Sequence, residues 1–265
     1  MTSYQTFLDA AKKFALDAAT LIKTHGENQY SATSKSSIND MVTDVDKAAE
    51  AFLINSICDQ FPNDSILSEE AGSISGSSGI SWVIDPIDGT TNFIYGFPSY
   101  SVSIGVQYGE NTVAAAICSV PDNSLYWAGI GIGAFKGSGE IHVRKKVPIE
   151  NSLIATGFGY SAVRRVAQAK YLAHIIGEVR DIRRGGAASL DLCYVAEGRL
   201  DGYYETGLWP WDYAAATLLV REAGGTVAGP DGQIPTQDLT VAASNPELAS
   251  FLRERALPFL PFPDS

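Results

Sequence analysis

Apolar residues recur at helical spacing from the start of the chain. Phe7, Leu8, Ala11, Ala15, Ala18 and Ile22 fall near one helical face, with Asp9, Lys12, Lys13 and Asp17 spread through the same stretch. A second helix is predicted over about residues 45–60 (VDKAAEAFLINSICDQ), ended by Pro62 and Asn63. The pattern then changes. Ser65–Ser68 reads as a short strand and residues 73–81 (SISGSSGIS) as a small-residue loop. Trp82–Asp85 reads as a buried strand, because its apolar run is continuous rather than alternating. Residues 100–144 hold several strands, punctuated by turn signals such as Tyr108-Gly109 and Pro121-Asp122-Asn123. Beyond them strand and helix alternate. Strands are expected at Leu153–Thr156, Val179–Arg183, Gly202–Glu205 and Thr240–Ala243. Helices are expected over about 162–177, over AASLDLCYVAEG, over about 211–223 before Gly224-Gly225, and from Pro246 onward. The pattern predicts an α/β (α+β) fold with a meandering antiparallel first sheet, a smaller second sheet, and helices between and outside them. The apolar, Pro-rich tail LPFLPFPDS is expected to pack on the body or on a partner subunit.

Composition narrows the classes. A chain of 265 residues suits one large domain or two tightly packed halves. Thirty acids against 19 bases give a net charge of −11, which repels nucleic acid and anionic lipid. A bound metal can still invert the field locally. No run of ~18 apolar residues predicts a membrane span, and the N-terminal segment lacks the unbroken apolar core of a signal peptide. Cys58, Cys118 and Cys193 lie far apart in apolar stretches and are expected to be buried, reduced thiols of a cytoplasmic protein.

Several motifs fail on inspection. Gly129 to Ala134 fits a loose GxGxxA dinucleotide pattern, but the glycine-rich residues that follow cannot open a helix, so a β-turn is expected. Asp44-Val-Asp46 starts like a calcium loop without its glycine and closing glutamate. The three histidines are isolated, so neither a triad nor a histidine metal site is indicated.

Four acidic clusters remain: DMVTDVD at 40–46, SEEAG around Glu69, DPIDGTT at 85–91, and WPWDYAAA around Asp212. Three have plain structural readings. Thr43 and Asp46 make a capping box for the second helix, Glu69-Glu70 suits a solvated loop, and Asp212 opposes a helix dipole. Asp85 and Asp88 resist that treatment, because an unpaired carboxylate at the end of a buried strand is costly. A hard divalent cation such as Mg²⁺ compensates it. Pro86 forces the chain out of the ladder, so that both aspartates can converge and the Ile87 carbonyl can turn inward. Gly89 and Thr90 offer backbone N–H groups, an anion site if a helical turn begins there. Metals, an anion cradle and a threonine hydroxyl together suit phosphoryl transfer.

WVIDPIDGTTNF and WDYAAATLLVREAGG, with KSSINDMVTDVD, SEEAG and the stretch from Ile182 to Glu205, resemble the inositol monophosphatase family of metal-dependent sugar and polyol phosphatases over roughly residues 5–255. The resemblance implies a layered α/β/α/β/α sandwich of the inositol monophosphatase and fructose-1,6-bisphosphatase type. It also implies one domain over 1–265 with halves of about 1–145 and 146–265, usually as a homodimer. Glu69, Asp85 and the Ile87 carbonyl would bind a first Mg²⁺, and Asp85, Asp88 and Asp212 a second, with two or three ions per site. Thr90 and Glu69 would activate water, with Asp46 behind Thr90. Gly89 and Thr90 would hold phosphate, Glu205 and the backbone near Ala188 would meet the polyol beside Asp212, and Lys35 would sit on a closing loop. The implied reaction is hydrolysis of inositol 1-phosphate. Fructose 1,6-bisphosphate, histidinol phosphate and 3′-phosphoadenosine 5′-phosphate are the alternative substrates, and a non-enzymatic regulatory protein on this fold is the alternative class. Lithium sensitivity, a cytoplasmic location, and no nucleic-acid or membrane partner complete the expectation. Two departures bear on substrate choice: Ala187 stands where many relatives have Ser or Thr, and Trp209-Pro210-Trp211 is bulkier than is common.

Overall fold

The computed structural model describes residues 4–26, 32–34 and 41–260; Lys35 and Asp40 lie outside them. Helix α1 (Gln5–Gly26) buries Leu8, Ala11, Ala15, Ala18 and Ile22 along one face. An antiparallel ribbon of β1 (Ala32–Ser34) and β2 (Met41–Thr43) leads into helix α2 (Asp44–Gln60). The capping box forms: Thr43 Oγ1 accepts from the N–H groups of Val45 and Asp46, and the Asp46 carboxylate accepts from the Thr43 N–H.

Strands β3 (Ser65–Ser68), β4 (Gly72–Ile74), β5 (Ile80–Asp88), β6 (Ser101–Tyr108), β7 (Asn111–Ser119), β8 (Ser124–Gly129), β9 (Gly133–Lys136) and β10 (Gly139–Glu140) form one eight-stranded sheet. Its order is β10-β9-β8-β7-β6-β5-β3-β4. Every pairing is antiparallel except β3 with β5. Helix α3 (Thr90–Tyr95) interrupts the chain between β5 and β6. Alternation divides the sheet's faces. On β6, Val102, Ile104 and Val106 join the core under α1 and α2. Ser101, Ser103 and Gly105 point the other way, and their small size lets the next layer approach closely.

The later elements are β11 (Leu153–Thr156), α4 (Ala162–Ile175), β12 (Asp181–Arg183), α5 (Ala188–Ala196), β13 (Gly202–Glu205), α6 (Pro210–Glu222), β14 (Thr226–Ala228), β15 (Thr240–Ala243) and α7 (Pro246–Ala256). The second sheet runs β12-β11-β13-β15-β14, with β11 parallel to both neighbours and the other pairs antiparallel. Helices α5 and α6 fill the space between the sheets, and α4 and α7 cover the outer face of the second. The result is the layered α/β/α/β/α sandwich. No helix among the described residues is long and apolar enough to cross a membrane.

Some expectations are corrected. Cys58 is exposed, whereas Cys118 and Cys193 are buried. The buried face of α2 runs through Val45, Ala49, Leu53 and Ile57, and Cys58, one residue past Ile57, is turned about 100° away from it. The loop expected over 73–81 contains the end of β4 and the start of β5. Strand β12 starts at Asp181 rather than Val179, and β14 was too short to stand out from its turn. Gly129 to Gly133 is the hairpin turn between β8 and β9. Of the tail, Phe259 packs against Tyr171; residues beyond 260 lie outside the described set.

The closeness of α6 to the first sheet depends on Gly105, where an added Cβ would stand 3.2 Å from the Ala215 backbone nitrogen. Gly105→Val is therefore expected to cost about 1–3 kcal/mol through overpacking. A lower urea midpoint at unchanged m-value would register it.

Candidate active site

Register places the first two carboxylates. Strand β5 pairs regularly with β6 from Ile80 opposite Tyr108 to Asp85 opposite Ser103, breaks over Pro86 and Ile87, and resumes with Asp88 opposite Ser101. Three steps on β5 thus match two on β6. The extra residue is a bulge, and it restores parity: Asp85 and Asp88 face the same side as Ser103 and Ser101. Pro86 sits where the ladder needs no N–H.

That side looks onto the N-termini of α5 and α6. Helix α5 has Ala187 at its N-cap and no capping side chain of its own. Asp88 supplies the cap from another strand. Its Oδ1 accepts from Ala188 N–H at 3.2 Å, and its Oδ2 accepts from Ser189 N–H at 2.7 Å and Ser189 Oγ at 2.5 Å. With Ser189 donating to Asp88, Ser101 Oγ donates to Ser189 Oγ at 2.8 Å. Asp212 lies in the first turn of α6, where its Oδ2 accepts from the Trp209 N–H at 2.6 Å. Ligand oxygens of Asp85, Asp88 and Asp212 all come within 4.8 Å of one another. Glu69 follows Ser68, which pairs in parallel with Ile84, so it leaves the sheet at the same end as Asp85.

Thr90 Oγ1 lies 3.1 Å from Asp46 Oδ1 and 3.1 Å from the Ile87 carbonyl. The other oxygen of Asp46 serves the capping box. The cap and the contact with Thr90 therefore coexist, one on each oxygen. Gly89 has φ 93°, and a Cβ there would stand 2.9 Å from the Ser99 carbonyl, so only glycine fits before α3 opens at Thr90.

The electrostatics follow from burial. Desolvation, then the charges of Glu69, Asp88, Asp212 and Asp46, push the Asp85 carboxyl well above its usual range. Asp212 is raised by burial, then by Asp88 and Glu69. Asp88 is raised by burial, against the pull of the Ser189 and Ala188 hydrogen bonds and of Arg184. Asp85 Oδ1 is buried with no hydrogen-bond partner among the described residues. An all-oxygen donor set around an unpartnered buried carboxyl oxygen fits a hard divalent cation.

In front of the cluster opens a cavity of about 250 Å³, lined among others by Glu69, Asp88, Gly89, Thr90, Ala188, Glu205 and Asp212. Glu205 and Tyr203 share one face of β13, and the Tyr203 hydroxyl donates to Glu205 Oε2. Gly157 makes room: a Cβ there would fall 1.9 Å from that oxygen. Burial raises Glu205 to about 7. Asp191, on α5, reaches the same floor and is raised to about 8 by burial, then by Glu205 and Asp88. Arg164 and Arg184 line the rim with Trp209, which stacks on Trp211 at 5.4 Å between ring centroids and 11° between planes.

Of the residues singled out in the sequence, Glu69, Asp85, Asp88, Gly89, Thr90, Ala188, Glu205 and Asp212 gather here, and Asp46 and Ile87 touch Thr90 from behind. Lys35 lies outside the described residues. Ser189, Asp191 and Tyr203 were missed. The first two sit in the opening turn of a helix next to glycines, and Tyr203 two residues before Glu205 on one strand face. Those spacings were the available signal.

A buried acidic oxygen cluster beside a polar cavity, on this layered fold, is the architecture of a metal-dependent phosphatase. The sequence profile of the inositol monophosphatase family matches residues 3–257, and the chain belongs to that family. It is 42% identical to an inositol-1-monophosphatase of Mycobacterium bovis, over 87% of this chain and 83% of that one. It is also 42% identical to the Nus factor SuhB of Haemophilus influenzae, over 83% of this chain and 84% of that one. The crystal structure of the extragenic suppressor protein SuhB from Bartonella henselae superposes with a TM-score of 0.89 at 32% identity, covering 94% of this chain and 98% of that one.

Asp191 gives a pH test. Its folded value of about 8 exceeds its ordinary 3.8, so the folded chain binds more protons than the unfolded one, and stability falls as pH rises across that interval. Asp191→Asn removes this contribution. With chelator present, its stability should fall less between pH 5 and pH 8 than that of the wild type, as urea midpoints would report; parallel curves would refute it.

Proposed function

We propose that this protein is a Mg²⁺-dependent phosphomonoesterase that hydrolyses inositol 1-phosphate to inositol and phosphate. The observation that carries the reading is the buried convergence of Asp85, Asp88 and Asp212, with Asp85 Oδ1 unpartnered, at the back of a polar cavity. Glu69, Asp85, the Ile87 carbonyl, Asp88 and Asp212 are the groups that would hold the metal. Bound there, Mg²⁺ supplies Lewis-acid stabilisation of charge on the phosphoryl oxygens and a lowered pKa for water.

The chain's own residues do the rest. Asp46 Oδ1 accepts a hydrogen bond from the Thr90 hydroxyl, which leaves the Thr90 oxygen turned to accept one from water. Glu69 takes one proton as water attacks phosphorus opposite the ester oxygen, and the other stays on the oxygen that joins the phosphate. The P–O ester bond breaks, and the alcohol leaves with a proton from solvent. Gly89 and Thr90 backbone N–H groups anchor the phosphate. Glu205, steadied by Tyr203, accepts from a ring hydroxyl, and Ala188 borders the ring. Ala187 offers no hydroxyl there, and Trp209 presents an exposed aromatic face that suits the apolar face of a cyclic polyol. A contribution of Lys35, a homodimer, a single domain of two halves, lithium sensitivity and a cytoplasmic location belong to the same proposal, supported by the family resemblance.

The name of the Haemophilus relative supports a second reading, a regulatory role beside catalysis. The net charge of −11 disfavours direct nucleic-acid binding as its basis.

Purified protein with Mg²⁺ should release phosphate from inositol 1-phosphate with a higher kcat/KM than from fructose 1,6-bisphosphate, histidinol phosphate or 3′-phosphoadenosine 5′-phosphate. No release from any of them would end the phosphatase reading. Asp88→Asn should cost more than the about 10–100-fold typical of outer-sphere changes at metal sites. If that variant keeps full biological function, the regulatory reading prevails. Trp209→Ala should raise KM for inositol 1-phosphate more than for acyclic glycerol phosphate.

A further inference from the structure

Among the proposed metal ligands, Glu69 alone stands on a turn. Asp85, Ile87 and Asp88 belong to β5, and Asp212 to α6. Glu69 opens the loop Glu69-Glu70-Ala71 between β3 and β4, which pair as Ser68 opposite Gly72. The like charges of Asp85 and Asp212 lie close by and favour displacement of the turn.

The turn is gripped from α2. Glu50 is 6% exposed, and its Oε1 accepts from the Glu70 N–H at 3.0 Å, from the Ala71 N–H at 2.9 Å and from Ser68 Oγ. Two consecutive N–H groups and a hydroxyl thus converge on a single carboxylate oxygen, a strong charge-assisted arrangement. Glu50 lies one helical turn beyond Asp46 on the buried face of α2. The helix therefore reaches the site twice, through Asp46 to Thr90 and through Glu50 to the Glu69 turn.

We propose that Glu50 is a positioning residue that fixes the Ser68–Ala71 turn and so holds the Glu69 carboxylate at the metal position before the cation arrives. The inference rests on the metal-dependent reading of the site. Glu50 touches neither substrate nor reacting atoms; it acts through the backbone on either side of Glu69. A carboxylate is suited to the place because three donors converge on one buried side chain, and an apolar residue would take that shared acceptor away.

The test uses the full-length protein, Mg²⁺ alone in titration calorimetry, and hydrogen exchange of the Glu70 and Ala71 amides in chelator. Glu50→Leu should bind Mg²⁺ about 10–100-fold more weakly, the range for lost outer-sphere support, and should expose both amides to exchange. Glu50→Gln keeps an acceptor oxygen and should restore most of the affinity and protection. Ser68→Ala removes one of the three donors and should weaken Mg²⁺ binding by less, which keeps the test decisive if Glu50→Leu fails to fold. The proposal is overturned if the apolar variant binds Mg²⁺ like the wild type, if affinity falls while both amides stay protected, or if the wild type binds no Mg²⁺. A wild type that binds Mg²⁺ and shows the expected Glu50 pattern, yet hydrolyses no phosphate ester, defeats the phosphatase reading while leaving Glu50 its role.

Discussion

Mutual repulsion among buried carboxylates is the constraint around which this molecule is arranged. Asp85, Asp88 and Asp212 are brought together beside Glu69, where desolvation and like charge both oppose ionisation. Such a cluster persists only if each member is held by something stronger than its wish to move apart. Each has its own restraint. Asp88 is tied to the N-terminus of α5, Asp212 to the first turn of α6, and Asp85 to the middle of a sheet. Asp46 sits in a capping box, and the Glu69 turn hangs from Glu50. The two-sheet architecture serves this arrangement by aiming two helix N-termini, with their positive ends, at the end of one strand.

Packing and chemistry share the same positions. The seryl and glycyl face of β6 brings α6 close to the sheet, and closeness is what lets Asp212 meet Asp85. The bulge at Pro86 weakens a ladder and gains a parity change that no regular strand could supply. Gly157 and Gly185 give up side chains so that Glu205 and Asp191 can occupy the cavity floor. Local rules are broken where the site is built, and the surrounding apolar core absorbs the cost.

Much of this was legible in the sequence because it is local. Helical periodicity marked α1 and α2, and WVIDPIDGTTNF marked the strand, its break and the turn after it. What escaped notice depends on partners far away in the chain. Nothing near Glu50 says that its donors lie at Ser68, Glu70 and Ala71, and nothing near Ser189 says that it will meet both Asp88 and Ser101. Cys58 differs from the expectation because an apolar neighbourhood in sequence is not a face in space: Ile57 is buried and Cys58, the next residue, is exposed. Asp46 combines a local cap with a distant contact, because a carboxylate has an oxygen for each.

The bonds from Asp88 to Ala188 and Ser189 span about a hundred positions of chain. Closing so long a loop costs entropy that is recovered only when the layers dock. While the chain is being synthesised, β5 is complete long before α5 and α6 exist, so the early acidic residues wait without their final neighbours. The centre therefore comes into being only when the two sheets and the helices between them have docked, and a cation bound there would report that docking.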